Sequence, residues 1–269
     1  MTVLRLKENV MEMKHRVRCV GRIVVFFLCC LLNLNISIAN AQSANDVIKL
    51  ADDVEVRKLA ESVWLHTTYF DIEGFDNCPA NGIIVIDSGD AIMVDLPWTD
   101  EQAGVLFDWV TKECHATIKK VVPSHWHIDC AGGLAEAHRR KAESFALDKT
   151  VEILTAKNEP VPQNWFTDRL SLRCGNVSVE LAYYGPAHTV DNIVAWIPAR
   201  NVLFGGCMVK SRNARNLGNI ADADVESWPK TLKKVKKAYP GAKIVVPGHG
   251  DTGGLELIDH TIELCNSQN

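Results

Sequence analysis

The sequence lacks two features that would place the protein in a membrane or on a nucleic acid. Among its 269 residues, no apolar run reaches the ~18 residues that a membrane-spanning helix requires. It also lacks an excess of basic residues, with 29 Lys and Arg against 33 Asp and Glu. Because phosphate binding requires a basic surface, this balance argues against nucleic acid as a partner. We therefore predict no stable membrane anchor and no nucleic-acid substrate.

The first 41 residues have the three-part pattern of a secretory signal peptide. A basic segment precedes the apolar residues 23–32, and Ala39-Asn40-Ala41 then gives the small-x-small pattern of a cleavage site. We predict cleavage near Ala41, export to the periplasm and a mature domain at residues 42–269, with Met11 and Met13 as alternative initiators. Removing residues 1–41 leaves 23 basic and 31 acidic residues, a net charge of −8. The alternative interpretation of this segment is a buried helix.

Two histidines and an aspartate lie together where a predicted strand meets a predicted helix. The apolar residues 119–123 predict a short buried strand, and the run from Gly132 predicts a helix start. Residues two apart on an extended segment point the same way, so His125 and His127 can reach one point and the turn can bring in Asp129. Two neutral imidazoles and a carboxylate are a transition-metal ligand set, for which zinc is the commonest fit. The alternative is a polar loop with two unrelated histidines.

Three later corners rich in Gly or Pro each carry one metal-competent side chain. His188 precedes an apolar strand, whereas Cys207 and His249 each end one. Small residues at such corners let backbone and ligands approach closely. With the first cluster they give a ligand set sufficient for two zinc ions with open coordination positions: His125, His127, His188, Asp129, Cys207 and His249.

Strand and helix patterns alternate along the rest of the chain. Helices are predicted over residues 100–114, 134–141, 149–157, 225–239 and 255–265, and strands over 83–86, 91–96 and 193–197. The candidate ligands come from both halves of the chain. This arrangement suits two facing sheets with the site at the sheet edges where the halves meet.

The ligand set resembles that of the metallo-β-lactamase superfamily, and the likeness extends over nearly the whole chain after about residue 45. It is more narrowly similar to the class B β-lactamases with a cysteine at the second zinc, and most similar to the Bacteroides-type enzymes. Members with other activities usually have a histidine directly after the aspartate and a later bridging carboxylate, where Cys130 and Cys207 stand here. The resemblance implies an α/β fold, the αββα sandwich of two facing mixed sheets with outer helices.

The resemblance also implies an activity, which is hydrolysis of the β-lactam ring of penicillins, cephalosporins and carbapenems. It implies two zinc ions per chain, one bound by the three histidines and one by Asp129, Cys207 and His249, with Asp129 counted among the catalytic residues. Because zinc lowers the pKa of a bound water to about 7, the implied nucleophile is a metal-bound hydroxide. A zinc thioesterase or lactonase of the same fold is one alternative, and an exported zinc binder without activity is another. The protein is expected to be a monomer.

Four further site residues follow from the resemblance at matching positions. Lys210 matches the lysine that binds the substrate carboxylate, and Asn219 matches an asparagine that binds substrate and assists polarisation of the carbonyl. Phe75 lies near the tip of a predicted hairpin loop, residues 71–82, which in the family is a mobile flap. Asp95 matches an aspartate that supports the zinc-binding loop from behind the ligands. Alternatively, each has only a structural role: Lys210 is a surface lysine, Asn219 a turn residue, Phe75 a core aromatic and Asp95 a cap or turn residue.

The cysteines outside the predicted signal peptide show no disulfide framework: Cys78, Cys114, Cys130, Cys174, Cys207 and Cys265. Although an exported protein could pair them, Cys207 must remain a thiolate to bind metal, so we predict no required disulfide. Cys130 directly follows Asp129, which predicts that it lies near the second zinc. Metal loss is therefore expected to expose Cys130 and Cys207 to oxidation. The alternative is that Cys130 only packs at the helix start.

Overall fold

The computed structural model describes residues 46–267, which form two β-sheets and the helices that pack on them. The predicted signal peptide, residues 1–41, lies outside the described residues. The strands are β1 (Ile48–Ala51), β2 (Val54–Ala60), β3 (Val63–Ile72), β4 (Phe75–Asp87), β5 (Asp90–Val94), β6 (Thr117–Val122), β7 (Glu143–Leu147), β8 (Asn164–Phe166), β9 (Arg169–Cys174), β10 (Val177–Tyr183), β11 (Ile193–Ile197), β12 (Val202–Gly206) and β13 (Ile244–Pro247). The helices are α1 (Asp100–Lys112), α2 (Ile128–Ala131), α3 (Leu134–Arg139), α4 (Asp148–Lys157), α5 (Trp228–Ala238) and α6 (Glu256–Asn266), with a 3-10 turn at Pro198–Arg200. Within residues 46–267, no helix is both long enough and apolar enough to span a membrane.

Both sheets are mixed. The first has the order β1-β2-β3-β4-β5-β6-β7-β8, antiparallel up to β5 and parallel from β5 to β8. The second has the order β13-β12-β11-β10-β9, in which only the β12–β13 pair is parallel. Parallel neighbours need a crossover connection. Helices α1 to α4 provide it in the first sheet, and α5 provides it between β12 and β13.

Alternation along the strands builds three apolar layers. On β5, Ile92 and Val94 face the layer between the two sheets, whereas Met93 faces α1. On β12, Phe204 faces the same central layer and Leu203 packs with α5 and α6. Each such fully buried side chain contributes roughly 1.5–3 kcal/mol to folding. The order of layers is therefore helix, sheet, sheet, helix, as expected from the sequence.

The predicted helices are present, with boundaries that local chemistry explains. Helix α1 begins after Thr99, whose side chain accepts a hydrogen bond from the backbone N–H of Gln102 at 3.2 Å. Helix α5 begins at Trp228 rather than at residue 225, with Pro229 in its first turn, where the missing N–H costs nothing.

The predicted hairpin loop over residues 71–82 is wrong in extent. Strand β3 continues to Ile72 and β4 begins at Phe75, with these two residues paired across a turn at Glu73 and Gly74. The turn is this tight because Gly74 has φ +82°, a left-handed conformation that glycine adopts without strain. The outer part of the hairpin extends beyond the core, so its polar residues carry no strand-like alternation.

Candidate functional site

Three histidines converge at the edge of the two sheets. His125 and His127 follow β6, and His188 lies in the loop between β10 and β11. Nε2 of His125 is 3.1 Å from Nδ1 of His127, which is 3.2 Å from Nε2 of His188. Zinc–nitrogen bonds of ~2.0–2.1 Å in a tetrahedral arrangement place ligand nitrogens about 3.3 Å apart. The three nitrogens therefore fit one zinc ion.

Burial keeps two of these imidazoles in the form that binds metal. Desolvation lowers the pKa of His125 to about 3 and holds the pKa of His188 well below its usual value. Both rings are therefore neutral near pH 7, and only a neutral imidazole has a free lone pair for a metal.

Asp222 orients the third imidazole. Its Oδ2 is 3.1 Å from Nε2 of His127, so Nε2 donates and Nδ1 keeps its lone pair toward the other two histidines. Asp222 was not among the site residues predicted from the sequence. The available signal was an acidic residue three positions after Asn219, in a stretch already assigned to the site.

A second donor cluster lies beside the histidines. Asp129 is in α2, Cys207 follows β12, and His249 follows β13. Cys207 Sγ is 3.2 Å from Asp129 Oδ2 and 3.4 Å from His249 Nε2, and His249 Nε2 is 3.3 Å from Asp129 Oδ2. His249 Nδ1 hydrogen-bonds the carbonyl of Pro79, which leaves Nε2 for the cluster. These spacings also fit a single zinc ion.

The charges of this cluster favour the binding of a cation. A hydrogen bond from the Cys130 thiol lowers the pKa of Cys207 to about 7, although desolvation acts in the opposite direction. Burial disfavours the charge of Asp129 too, yet its hydrogen bond to His249 helps to hold its pKa below the usual range. Although desolvation also disfavours a charged His249, the neighbouring Cys207 and Asp129 raise its pKa well above the usual value. A carboxylate and an incipient thiolate thus attract positive charge to one point.

Glycine at position 248 is required by the approach of the two strands. A Cβ atom there would lie 2.4 Å from Cys207 Sγ, closer than van der Waals contact allows. The backbone N–H of Gly248 donates to the carbonyl of Gly206 at 2.8 Å, which ties together the ends of β12 and β13. This contact fixes the separation of Cys207 and His249.

Asp95 lies behind the ligands, where it contacts the loop that carries them. It follows β5 with φ +56°, a strained conformation for a residue other than glycine. Its carboxylate accepts hydrogen bonds from the backbone N–H of Ser124, from Ser124 Oγ at 2.9 Å and from Cys130 Sγ at 3.0 Å. Ser124 Oγ is in turn 3.3 Å from Nδ1 of His125. Asp95 thus contacts the ligand loop through Ser124.

His66 is a second site residue that was not predicted from the sequence. Its Nε2 donates to the carbonyl oxygen of Asp95 at 3.0 Å, and burial lowers its pKa to about 4. A Cβ at position 82 would lie 2.2 Å from this nitrogen, so Gly82 makes room for the ring. In the sequence His66 is one polar residue within a strand, and nothing in the pattern distinguishes it.

Cys130 lies at the back of the second cluster. It is 1% exposed, and its sulfur lies within 4.8 Å of the donor atoms of His125, Asp129 and Cys207. Its sulfur is 3.0 Å from Asp95 Oδ2, so the Asp95 carboxylate and the Cys207 sulfur are both acceptors within reach of the thiol proton. The expectation that Cys130 lies near the second zinc stays a prediction, and the structure places its sulfur beside the proposed ligands of that ion.

The remaining predicted site residues are distributed around the clusters. The ammonium group of Lys210 lies 5.3 Å from the ring centroid of Trp228, and desolvation lowers its pKa while the charges of Cys207 and Asp129 raise it. Asn219 is exposed, and its Oδ1 accepts a hydrogen bond from Ala221 N at 3.0 Å. Phe75 is 67% exposed at the start of β4. The structure thus brings Lys210 to the second cluster and leaves Asn219 and Phe75 in solvent.

A sequence model of the metallo-β-lactamase superfamily matches residues 76–249. The chain belongs to this superfamily. It is 43% identical over 226 residues to the metallo-β-lactamase type 2 of Bacteroides fragilis, and the aligned region covers 84% of this chain and 91% of the relative. It is 34% identical over 213 residues to the metallo-β-lactamase type 2 of Bacillus cereus, with 78% and 82% covered. A solved metallo-β-lactamase structure from Pontibacter korlensis superposes with a TM-score of 0.77 at 35% identity, covering 80% of this chain and all of that one.

The comparisons confirm the predicted family and the predicted αββα fold. As a metallo-β-lactamase-superfamily chain with two donor clusters of His, Asp and Cys, the protein is a zinc enzyme. The roles of individual residues stay predictions.

Proposed function

We propose that the chain is a zinc β-lactamase that opens the β-lactam ring by hydrolysis, with two zinc ions bound by two triads of side chains. His125, His127 and His188 bind the first ion, and Asp129, Cys207 and His249 bind the second. The observation that carries the proposal is the cysteine-containing cluster directly beside the three histidines. The relatives that share most of the chain's length are named metallo-β-lactamases, which supports the same activity.

Zinc, when bound, supplies a Lewis acid and lowers the pKa of water to about 7. The chain's own contribution is to hold the donors in place and to orient the reactants. Asp129 is suited to orient the attacking water because its carboxylate lies within 4.8 Å of both His125 and Cys207, between the two clusters. Asp95 and Ser124 hold the loop behind His125 so that this geometry is set before substrate binds.

Three residues outside the clusters are assigned to substrate binding. Lys210 provides a positive charge beside the second cluster for the substrate carboxylate. The Oδ1 of Asn219 is used by Ala221 N, but the amide retains two N–H donors that can stabilise a developing oxyanion. Phe75 at the hairpin tip offers an apolar ring to substrate side groups.

The proposal extends to the substrates and the location of the protein. The substrates are penicillins, cephalosporins and carbapenems. Residues 1–41 are a signal peptide, and residues 42–269 form the mature domain, which acts in the periplasm as a monomer without a stable membrane anchor. Support comes from the tripartite pattern of the first 41 residues and the acidic charge of the remainder.

A substrate panel tests the proposed activity. The purified mature chain is assayed with nitrocefin, a penicillin and a carbapenem, and in parallel with thioesters and lactones. We expect turnover of the β-lactams, its loss in EDTA and its recovery with added zinc. Turnover of thioesters or lactones without turnover of any β-lactam would instead assign the chain to another activity of the same fold. Zinc binding without turnover of any panel member would leave a zinc-binding protein.

A further inference from the structure

We propose that Cys130 and Cys207 form a redox pair that a peroxide converts to a disulfide when the second zinc site has lost its metal. The disulfide would remove one ligand of that site, so the site could not reload until a reductant opened the bond. The inference rests on the proposed role of Cys207 as a zinc ligand. It adds a reversible modification that β-lactam hydrolysis does not require.

The two sulfur atoms share one buried space. Both thiols belong to a single group of donor atoms that lie within 4.8 Å of one another. Cys130 is 1% exposed and Cys207 is 2% exposed, and neither is bonded to another cysteine. For a disulfide to form, rotation of the two side chains must shorten the distance between the sulfur atoms to the S–S bond length of about 2.05 Å.

Neighbouring groups hold each thiol toward that space. Cys130 is anchored by its hydrogen bond to Asp95 Oδ2 at 3.0 Å, and Cys207 by its contact with Asp129 Oδ2 at 3.2 Å. Each cysteine lies next to a turn: Cys130 in the single turn of α2, which ends at Ala131, and Cys207 in the turn after β12. A bond between them would therefore connect α2 to the turn after β12.

A third thiol could compete. Cys78 on β4 directly precedes Pro79, whose carbonyl accepts a hydrogen bond from His249 Nδ1, so Cys78 lies near the same cluster. The remaining cysteines of the described chain lie elsewhere, for example Cys174, whose thiol donates to the carbonyl of Asp90 at 3.2 Å. A test must therefore distinguish a Cys130–Cys207 bond from a Cys78–Cys207 bond.

The chemistry takes two steps and needs hydrogen peroxide as the oxidant. The Cys207 thiolate attacks one peroxide oxygen, an S–O bond forms, the O–O bond breaks and hydroxide leaves, which gives a sulfenic acid. The Cys130 sulfur then attacks the Cys207 sulfur, the S–S bond forms and the S–O bond breaks. The departing hydroxide takes up the Cys130 proton. The hydroxide from the first step takes up the proton that Cys207 lost on forming the thiolate, so in total two thiols lose two electrons and one peroxide is reduced to two water molecules.

Bound zinc protects the pair. A thiolate that donates its lone pair to zinc is a poorer nucleophile toward peroxide than a free one. Loss of the second zinc frees Cys207 while Cys130 remains beside it. The zinc content of the second site thus determines whether Cys207 is a metal-bound, protected thiolate or a thiol that reacts with peroxide.

The experiment compares zinc-loaded and EDTA-treated full-length mature chain after exposure to hydrogen peroxide. Free thiols are then alkylated, the protein is digested and disulfides are mapped by mass spectrometry. We expect a Cys130–Cys207 cross-linked peptide as the main product of the EDTA-treated sample and several-fold less of it in the zinc-loaded sample. After EDTA and peroxide are removed, treatment with a dithiol reductant followed by added zinc should restore the original zinc content, measured by atomic spectroscopy, whereas added zinc without the reductant should not.

Variants provide the controls. In Cys130→Ser, Cys207 has no resolving partner, so it should proceed to the sulfinic acid and zinc content should not recover after reduction. Cys114→Ser, which removes a thiol distant from the cluster, should behave as the wild type. A Cys78–Cys207 cross-link, or sulfinic acid at Cys207 to the same extent in wild type and Cys130→Ser, would overturn the proposal.

Failure of this inference can be told apart from failure of the proposed function. If the untreated enzyme binds zinc and hydrolyses nitrocefin, but the EDTA-treated enzyme forms no cross-link after exposure to peroxide, only the redox pair is refuted. If zinc does not protect Cys207 from alkylation in the untreated protein, Cys207 is not a ligand, and the proposed second site fails as well.

Discussion

Replacement of Asp222 with alanine tests how much of the first zinc site depends on a residue that does not touch the metal. Asp222 Oδ2 accepts the Nε2–H of His127 at 3.1 Å, and this bond fixes which ring nitrogen faces the other two histidines. Without it, His127 is free to rotate or to adopt the other tautomer. Loss of such an outer partner typically weakens metal binding about 10- to 100-fold. Because the Asp222 side chain is 44% exposed, water can replace part of the bond, so we expect an effect near the lower end of this range.

The assay is a competition titration of zinc against a chromophoric chelator, performed on the purified variant. Asp222→Ala should lower the affinity of the first site by about tenfold, or roughly 1.4 kcal/mol, and leave the second site close to its original affinity. Asp222→Asn, whose carbonyl can still accept the bond, should recover part of the loss. Asp168→Ala removes an acidic side chain that is 74% exposed and remote from the ligands, so it controls for the change in net charge. Unchanged affinity in Asp222→Ala would refute the orienting role.

Three further substitutions follow from the site. Cys207→Ser should reduce bound zinc from two toward one per chain by atomic spectroscopy, because a hydroxyl is a far poorer ligand than a thiolate; two tightly bound ions would refute the assignment. Lys210→Ala should raise KM roughly ten- to hundredfold with little change in kcat, because a charged hydrogen bond made equally in ground and transition states contributes about 1.5–3 kcal/mol. A steady-state loss confined to kcat would contradict that role. Phe75→Ala should raise KM more for substrates with bulky apolar side groups than for small ones, because burial of those groups against the ring is lost. An equal effect across a substrate size series would indicate a structural role.

The parts of the site that were predictable from the sequence share a local signature. His125, Cys207 and His249 each follow a short apolar strand and lie within two residues of a glycine or proline, so strand end and ligand are visible in one stretch. The alternation of β5 and the amphipathic pattern of α1 are equally local, because side-chain direction depends only on the repeat of the element. The αββα fold itself followed from the resemblance that these stretches carry.

The parts that were missed depend on contacts between distant segments. Asp222 is 95 residues from His127, and His66 is 29 residues from Asp95. The first contact arises only when the segment after β12 meets the segment after β6, and the second only when β3, β4 and β5 assemble into one sheet. No periodicity of a single segment records either contact. The extent of the hairpin loop, residues 71–82, was predicted wrongly for a related reason. Residues 75–79 form a strand because they pair with β3, whereas their own polar sequence is typical of a loop.

The most direct test of the central claim is a zinc titration of the zinc-free mature chain, with nitrocefin turnover measured at each addition. We expect no turnover without zinc and a rise that saturates at two equivalents per chain, because the two triads fill with two ions. Full turnover in the presence of excess chelator would contradict the account. So would nitrocefin turnover that reaches its maximum although no zinc binds to the chain.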